Sequence, residues 1–280
     1  MLFESPHLRV TCEYGTATLW LAFPGEPVNA LSAPRLSELN AALAAIEHSP
    51  FIHTLVVRSA KPFGFCAGLH PDVSNVTDRA GFAGHGQRVL ARLRALPFVT
   101  VAFIDGPCLG AGLELALACD YRLCVATPTT ALGFPGRFAC FGGSARLRNL
   151  IGKRAAPFIE SGATLSGREA RASGLVDRAF CARRAKIELR TFLDELELRP
   201  RVPERTPDET GFAHERRRFA QLDPAQRAAS ERAAAPADTE TLLARGFITP
   251  LEAEQLRACP PAAPAPSAAR GTDPMTRRAA

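Results

Sequence analysis

Short apolar runs and helix-spaced apolar residues alternate along the first two thirds of the chain. Residues 16–23 (TATLWLAF) combine β-branched and aromatic residues and stop at Pro24 and Gly25, which predicts a strand. Ser32 is the expected N-cap of a helix in which Leu36, Leu39, Leu43 and Ile46 recur at helical spacing. Residues 54–59 (TLVVRS) predict a short buried strand, and 63–70 (FGFCAGLH) a turn-rich loop. Val89, Leu90, Leu93 and Leu96 mark one face of a second helix over 86–96, ended by Pro97. Residues 98–104 (FVTVAFI) are then a strand, 105–112 a glycine-rich turn, 113–119 an apolar helix and 121–125 (YRLCV) a strand. This alternation of strand and helix predicts an α/β fold built from β-α-β crossovers.

Further on, Ser166 and Glu169 have the spacing of a capping box for a helix through about Ala172. Gly174 stops it, Leu175-Val176 lead into a short extended piece, and 185–197 predict another helix. After residue 200 the texture changes. Residues 201–235 are rich in Arg, Glu and Ala, 238–258 fit a short helical hairpin around Gly246, and 260–280 are low-complexity. The expected organisation is a core over 1–200, a helical C-terminal region over 201–258 and a disordered tail over 259–280.

Composition narrows the class. The chain has 280 residues, 46% apolar and 22% charged, enough for a sizeable core. It has no run of 18 apolar residues, and its first residues carry no basic stretch followed by an apolar one. Neither a membrane span nor a signal peptide is expected. The 8 Cys and 6 His show no zinc-ligand spacing, so no metal is expected, and reduced thiols in a cytoplasmic protein are. The net charge of +6 suits an anionic partner. Its arginines are not interleaved with aromatics and no nucleic-acid motif appears, and a few Arg or Lys at a pocket mouth would serve a phosphate-bearing small molecule equally well.

Two turns carry the candidate chemistry. Phe65-Cys66-Ala67-Gly68 and Gly106-Pro107-Cys108-Leu109-Gly110-Ala111-Gly112 could each aim a backbone N–H at one point, as an oxyanion hole does. The second runs into a helix whose first turn contains Glu114, within the scale of a proton-transfer group. The alternative is a pair of ordinary strand-to-helix connections with a helix-start acid. The glycine spacing is wrong for a dinucleotide fingerprint.

The chain resembles the enoyl-CoA hydratase/isomerase (crotonase) family over roughly residues 7–185. The resemblance is carried by PVNALS at 27–32, SAKPFGFCAGLH at 59–70 and DGPCLGAGLELALACDYRL at 105–123. LGFPG at 132–136, GGSARLRNLIG at 142–152 and LSGREARASGLVD at 165–177 add to it. It implies a crotonase-like spiral of repeated β-β-α units with a divergent helical C-terminal region, assembled as a homo-trimer or hexamer. It implies an acyl-CoA or acyl-carrier thioester as substrate, with no cofactor beyond the coenzyme A or phosphopantetheine moiety. The N–H groups of Ala67 and Ala111 would hold the carbonyl oxygen of an enolate intermediate, and Glu114 would be the acid/base. Lys61, Ala67 and Leu69 are candidates for the adenine side, and Gly110 keeps the second turn permissive beside the coenzyme.

Three departures bear on the reaction. Gly136 follows Pro135 where hydratases of the family place a second glutamate, and the segment to Gly142 is about four residues shorter. Hydration and the usual isomerisation both need that glutamate. A lyase or isomerase that uses Glu114 alone is therefore expected, with a conventional hydratase or a non-catalytic thioester-binding scaffold as alternatives. Second, His70 and Asp72 follow the first turn and are candidate compensating groups; Cys66, Cys140 and Arg137 flank the expected pocket. Third, 212–219 (FAHERRRF) resembles the family's C-terminal helices. There Arg216, Arg217 and Arg218 are either phosphate contacts or a solvated face.

Overall fold

A computed structural model describes residues 1–62, 64–197 and 209–222, with Pro250 and Glu254. Its first elements are strands β1 (Phe3–Glu4), β2 (Leu8–Glu13) and β3 (Thr16–Leu21), helix α1 (Ala33–Ile46) and strand β4 (Thr54–Ser59). Helix α2 (Arg79–Ala95) follows, then β5 (Val99–Asp105), β6 (Cys108–Leu109), α3 (Ala111–Leu117), β7 (Tyr121–Val125) and β8 (Leu132–Gly133). The rest comprises α4 (Gly143–Ile151), α5 (Ala155–Ser161), β9 (Thr164–Leu165), α6 (Gly167–Ala172), β10 (Arg178–Phe180), α7 (Ala185–Leu196) and α8 (Glu209–Ala220).

The main sheet has the order β1-β2-β3-β4-β5-β7-β10. Its first three strands pair antiparallel, and from β3 onward the pairs are parallel. A small second sheet, β6-β8-β9, lies at the level of the candidate loops. Both faces of the main sheet are covered, and the two-residue period sorts the side chains. Leu55 and Val57 enter the large core with α1 and α2, whereas Val56 joins Val101, Phe103 and Leu123 beneath Phe192 and Leu196 of α7.

The predicted strands at 54–59 and 121–125 appear with those limits, and the helix predicted after Ser32 is α1, with Ser32 at the N-cap position but making no side-chain capping bond. The capping box is formed, with the Ser166 hydroxyl accepting from Glu169 N–H and the Glu169 carboxylate accepting from Ser166 N–H. Helix α2 starts seven residues earlier than its apolar stripe suggests, at Arg79, capped by the Asp78 side chain. The cause is a run of glycines that lowers local helix propensity but is needed for packing. A Cβ on Gly86 would sit 2.3 Å from the Phe141 ring. The extended piece after Gly174 begins at Arg178, because Leu175 and Val176 still bond back to Ala170 O. Strand β2 and helices α4 and α5 emerge only from the structure.

Of the C-terminal region, α8 lies within the described residues, and it packs on α2 and α4. The proposed hairpin over 238–258 and the tail over 259–280 fall outside them, Pro250 and Glu254 apart. No described helix is long and apolar enough to cross a membrane.

Candidate active site

The two loops are bound together by backbone pairing. Phe65 and Cys66 N–H groups donate to Pro107 O at 3.0 and 3.1 Å, and Leu109 N–H donates to Cys66 O at 2.9 Å. Cys66 and Cys108 thereby form a parallel bridge. The ladder ends there, with Gly68 O taken by Leu31 N–H, but the two chains stay side by side one step further, since a Cβ on Gly110 would lie 3.9 Å from Gly68 Cα. Close approach also requires Gly112, where a Cβ would stand 2.1 Å from Cys66 O.

Asn29, from the PVNALS segment, fixes the first loop from behind. Its fully buried amide donates to Ser59 Oγ at 2.9 Å, Phe65 O at 3.0 Å and Leu21 O at 3.3 Å, and its side-chain oxygen accepts from Phe23 N–H at 3.2 Å. Its main-chain oxygen accepts from Ala67 N–H at 2.8 Å. The expected donor Ala67 is thus consumed within the fold, because its N–H faces Asn29 and away from the second loop. Leu69 has the complementary geometry. Its neighbours bond to Leu31 on one side, through Leu31 N–H to Gly68 O and His70 N–H to Leu31 O. In a parallel bridge this turns the Leu69 N–H to the opposite side. Ala111 is the first residue of α3, where the backbone N–H has no partner inside the helix.

Glu114 lies in the first turn of α3 and is 1% exposed. Its Oε1 accepts from the N–H groups of Phe141 at 2.7 Å, Gly143 at 2.9 Å and Cys140 at 3.2 Å. Its Oε2 faces Cys140 N at 3.1 Å and Sγ at 3.6 Å, and is the less engaged oxygen. Burial, reinforced by the nearby Glu215 carboxylate, pushes the Glu114 pKa up to about 7 against the opposing pull of those N–H donors. The Cys140 and Cys66 thiols are buried and raised, Cys66 to about 12, so neither is activated as a thiolate. All seven described cysteines are free.

The other expected residues are distributed around this centre. His70 caps the turn Pro71–Asn75, its Nδ1 accepting from Asp72 N–H at 3.2 Å, while Nε2 stands 3.1 Å from Glu26 Oε1. That ring is committed to Glu26 and Asp72, and no contact joins it to Glu114 among the described residues. Glu26 also pairs with the buried Arg35 and accepts, through its main-chain oxygen, from the Lys61 amine. Burial lowers the Lys61 pKa to about 8. Gly136 leaves no carboxylate after Pro135, and Arg137 adopts a left-handed φ of 59° in the turn that replaces it. The arginines of α8 do not act as one cluster, for Arg216 bonds Gln87 Oε1 at 2.6 Å and Arg218 reaches Arg137 O at 3.4 Å.

Sequence reasoning missed Glu215. This α8 residue is 3% exposed, and its carboxylate accepts from Gly142 N–H at 2.5 Å, Ser144 N–H at 2.8 Å and the Ser144 hydroxyl. A glutamate among four other charged or polar residues in AHERRR gives no signal by itself. Its partners lie about seventy residues away. Among the described residues, no group of His, Cys, Asp or Glu could hold a metal ion.

Residues 17–204 match the family model described as enoyl-CoA hydratase/isomerase. A fatty acid oxidation complex subunit alpha from Vibrio cholerae is 41% identical over 170 residues, 56% of this chain and 24% of that protein. The corresponding Vibrio campbellii subunit is 37% identical over 169 residues, again 56% and 24%. The chain therefore spans about a quarter of the length of the curated relatives it matches. Among solved structures, an enoyl-CoA hydratase from Geobacillus kaustophilus shares 25% identity at a TM-score of 0.64, over 91% of this chain and 89% of that one. A Thermobifida fusca protein in complex with acetoacetyl-CoA superposes with a TM-score of 0.61 at 22% identity, over 86% and 96%.

Proposed function

The chain belongs to the enoyl-CoA hydratase/isomerase family, and on that premise we propose that it is an enzyme that forms or protonates the enolate of an acyl thioester of coenzyme A or of an acyl carrier. One observation carries this reading. The paired loops set Gly68 beside Gly110, with Leu69 and Ala111 the next residue of each chain and Glu114 in the same first helical turn as Ala111, which supports a shared donor site. We assign the two oxyanion donors to Leu69 and Ala111, in place of Ala67, whose N–H is bound to Asn29 O. Donors fixed by the fold need no reorganisation as charge develops on the thioester oxygen, and so they stabilise the enolate more than the ground state.

Glu114 is the proton carrier. A pKa pushed up to about 7 leaves it divided between its two forms near neutral pH, so it can take a proton from the acyl α-carbon or return one. Oε1 accepts from Phe141 and Gly143 N–H and shares the Cys140 N–H with Oε2, so Oε2 has the fewer donors and is the oxygen assigned to carry the proton. With glycine at 136, the reading is a single-carboxylate lyase or isomerase. Lys61 and the backbone beside Leu69 and Gly110 would meet the coenzyme, and the assembly would be a homo-trimer or hexamer.

Exchange of acyl α-hydrogens for deuterium, followed by mass spectrometry on saturated acyl-CoA probes, tests this without knowledge of the product. Wild type should catalyse exchange and Glu114→Gln should lose about 10²–10⁴-fold, the usual worth of a positioned acid/base. A second reading, a thioester-binding scaffold, is favoured by Gly136 and by the enclosure of Glu114. Tight acyl-CoA binding without exchange in wild type would establish the scaffold and sink the enzyme.

A further inference from the structure

Five consecutive residues, Cys140 to Ser144, lead into and begin α4 and must place backbone N–H groups that no helical carbonyl can satisfy. The structure divides them between two carboxylates. Cys140, Phe141 and Gly143 donate to Glu114, and Gly142 and Ser144 donate to Glu215. The segment is thus a wedge gripped from two sides, by α3 and by α8. Gly142 has φ +91°, and a Cβ there would stand 2.6 Å from the Phe212 ring of α8. Gln87 of α2 ties the same layers together by donating to Cys140 O at 3.1 Å and to Phe212 O at 3.0 Å. Two carboxylates on neighbouring peptide groups inside protein oppose each other's ionisation.

We propose that Glu215 is a positioning residue for Glu114: it holds the 140–144 segment so that three N–H groups converge on Glu114, and its charge disfavours ionisation of Glu114. This rests on the reading of Glu114 as the proton carrier. Glu215 lies beyond residues 17–204 that match the family model, and through it α8 reaches the segment that holds Glu114.

Other charged or titratable groups approach the pair among the described residues. Cys140 Sγ contacts Glu114, and Arg146 of α4 donates to Phe141 O at 2.7 Å with its guanidinium over Phe212. Arg216 of α8 is bound to Gln87, with Arg88 of α2 beside the same glycine, Gly84. Ser144 donates its hydroxyl to the Glu215 carboxylate.

The test is an infrared pH titration of the protonated-carboxyl stretch in the full-length protein without substrate, paired with the pH profile of α-hydrogen exchange. Wild type should show a buried carboxyl band that Glu114→Gln removes. Glu215→Gln should move its midpoint down by about one pH unit. Ser144→Ala, a milder change that removes the hydroxyl tying Glu215 to the 140–144 segment, should move it the same way by less. The exchange profile should shift in parallel. Glu215→Asp, which keeps the charge, should stay closer to wild type. Circular dichroism identifies variants that fail to fold, and Ser144→Ala decides the matter if Glu215→Gln does. A midpoint unmoved in the folded variants, or a band that survives Glu114→Gln, overturns the proposal. Absence of exchange in wild type with the band behaving as stated sinks the enolate reading and leaves the Glu215–Glu114 coupling standing.

Discussion

Replacing Asn29 with alanine tests the anchor of the first loop. The side chain serves four groups, and two of them keep other partners: Leu21 O still accepts from Ala60 N–H at 2.8 Å, and Ser59 Oγ from Lys61 N–H at 2.9 Å. The Phe23 N–H and the Phe65 oxygen are left orphaned in the core. Each buried unsatisfied group costs about 1–3 kcal/mol, and the small void adds to this, for a total loss of about 3–5 kcal/mol. Asn29→Asp should cost a similar amount at neutral pH. It keeps the acceptor for Phe23 but points an oxygen at the Leu21 and Phe65 carbonyls. The assay is equilibrium urea unfolding at one protein concentration, which holds any assembly constant. Exchange activity should fall as well, since Leu69 lies two residues beyond the Ala67 strap. A loss below about 1 kcal/mol for Asn29→Ala would refute the reasoning, because it would mean that water or relaxation satisfies both groups.

Glu114 should make stability depend on pH. Its pKa rises from 4.5 to about 7 on folding, so the folded state binds the extra proton between those values. Relative to Glu114→Gln, wild type should lose about 3 kcal/mol as pH rises through that window and stay level above it; a flat difference curve in urea unfolding would show that the N–H donors fully offset burial. Gly112→Ala should lower the thermal midpoint sharply and abolish exchange, because backbone at Cys66 O blocks the new methyl at 2.1 Å; a midpoint within a degree or two of wild type contradicts the close approach. Ser166→Ala removes the capping box of α6 on the surface and should cost about 1 kcal/mol in unfolding while leaving exchange unchanged.

Local pattern was enough for the elements whose signals are local. The strand TLVVRS is short, β-branched and bounded by polar residues, and the Ser166 box needs three residues of spacing; both are where the sequence places them. The glycine turns and Glu114 were legible for the same reason, as they lie within one stretch of chain. Helix α2 was seen only in its second half, since the glycines that make room for Phe141 disguise its start.

What the sequence could not supply was direction. A motif names Ala67 and Leu69 alike, and which N–H faces the second loop depends on a bridge to Leu31 and on Asn29 taking the Ala67 N–H. The sequence by itself determined the family, the paired turns and the lone glutamate of the usual pair. Only the tertiary structure decided that the Ala67 N–H is bound to Asn29 O while the Leu69 N–H turns away from Leu31, and that a second carboxylate arrives from α8. Hydrogen-bond direction and the meeting of Glu114 with Glu215 arise from contacts between segments dozens of residues apart, where periodicity and spacing carry no information.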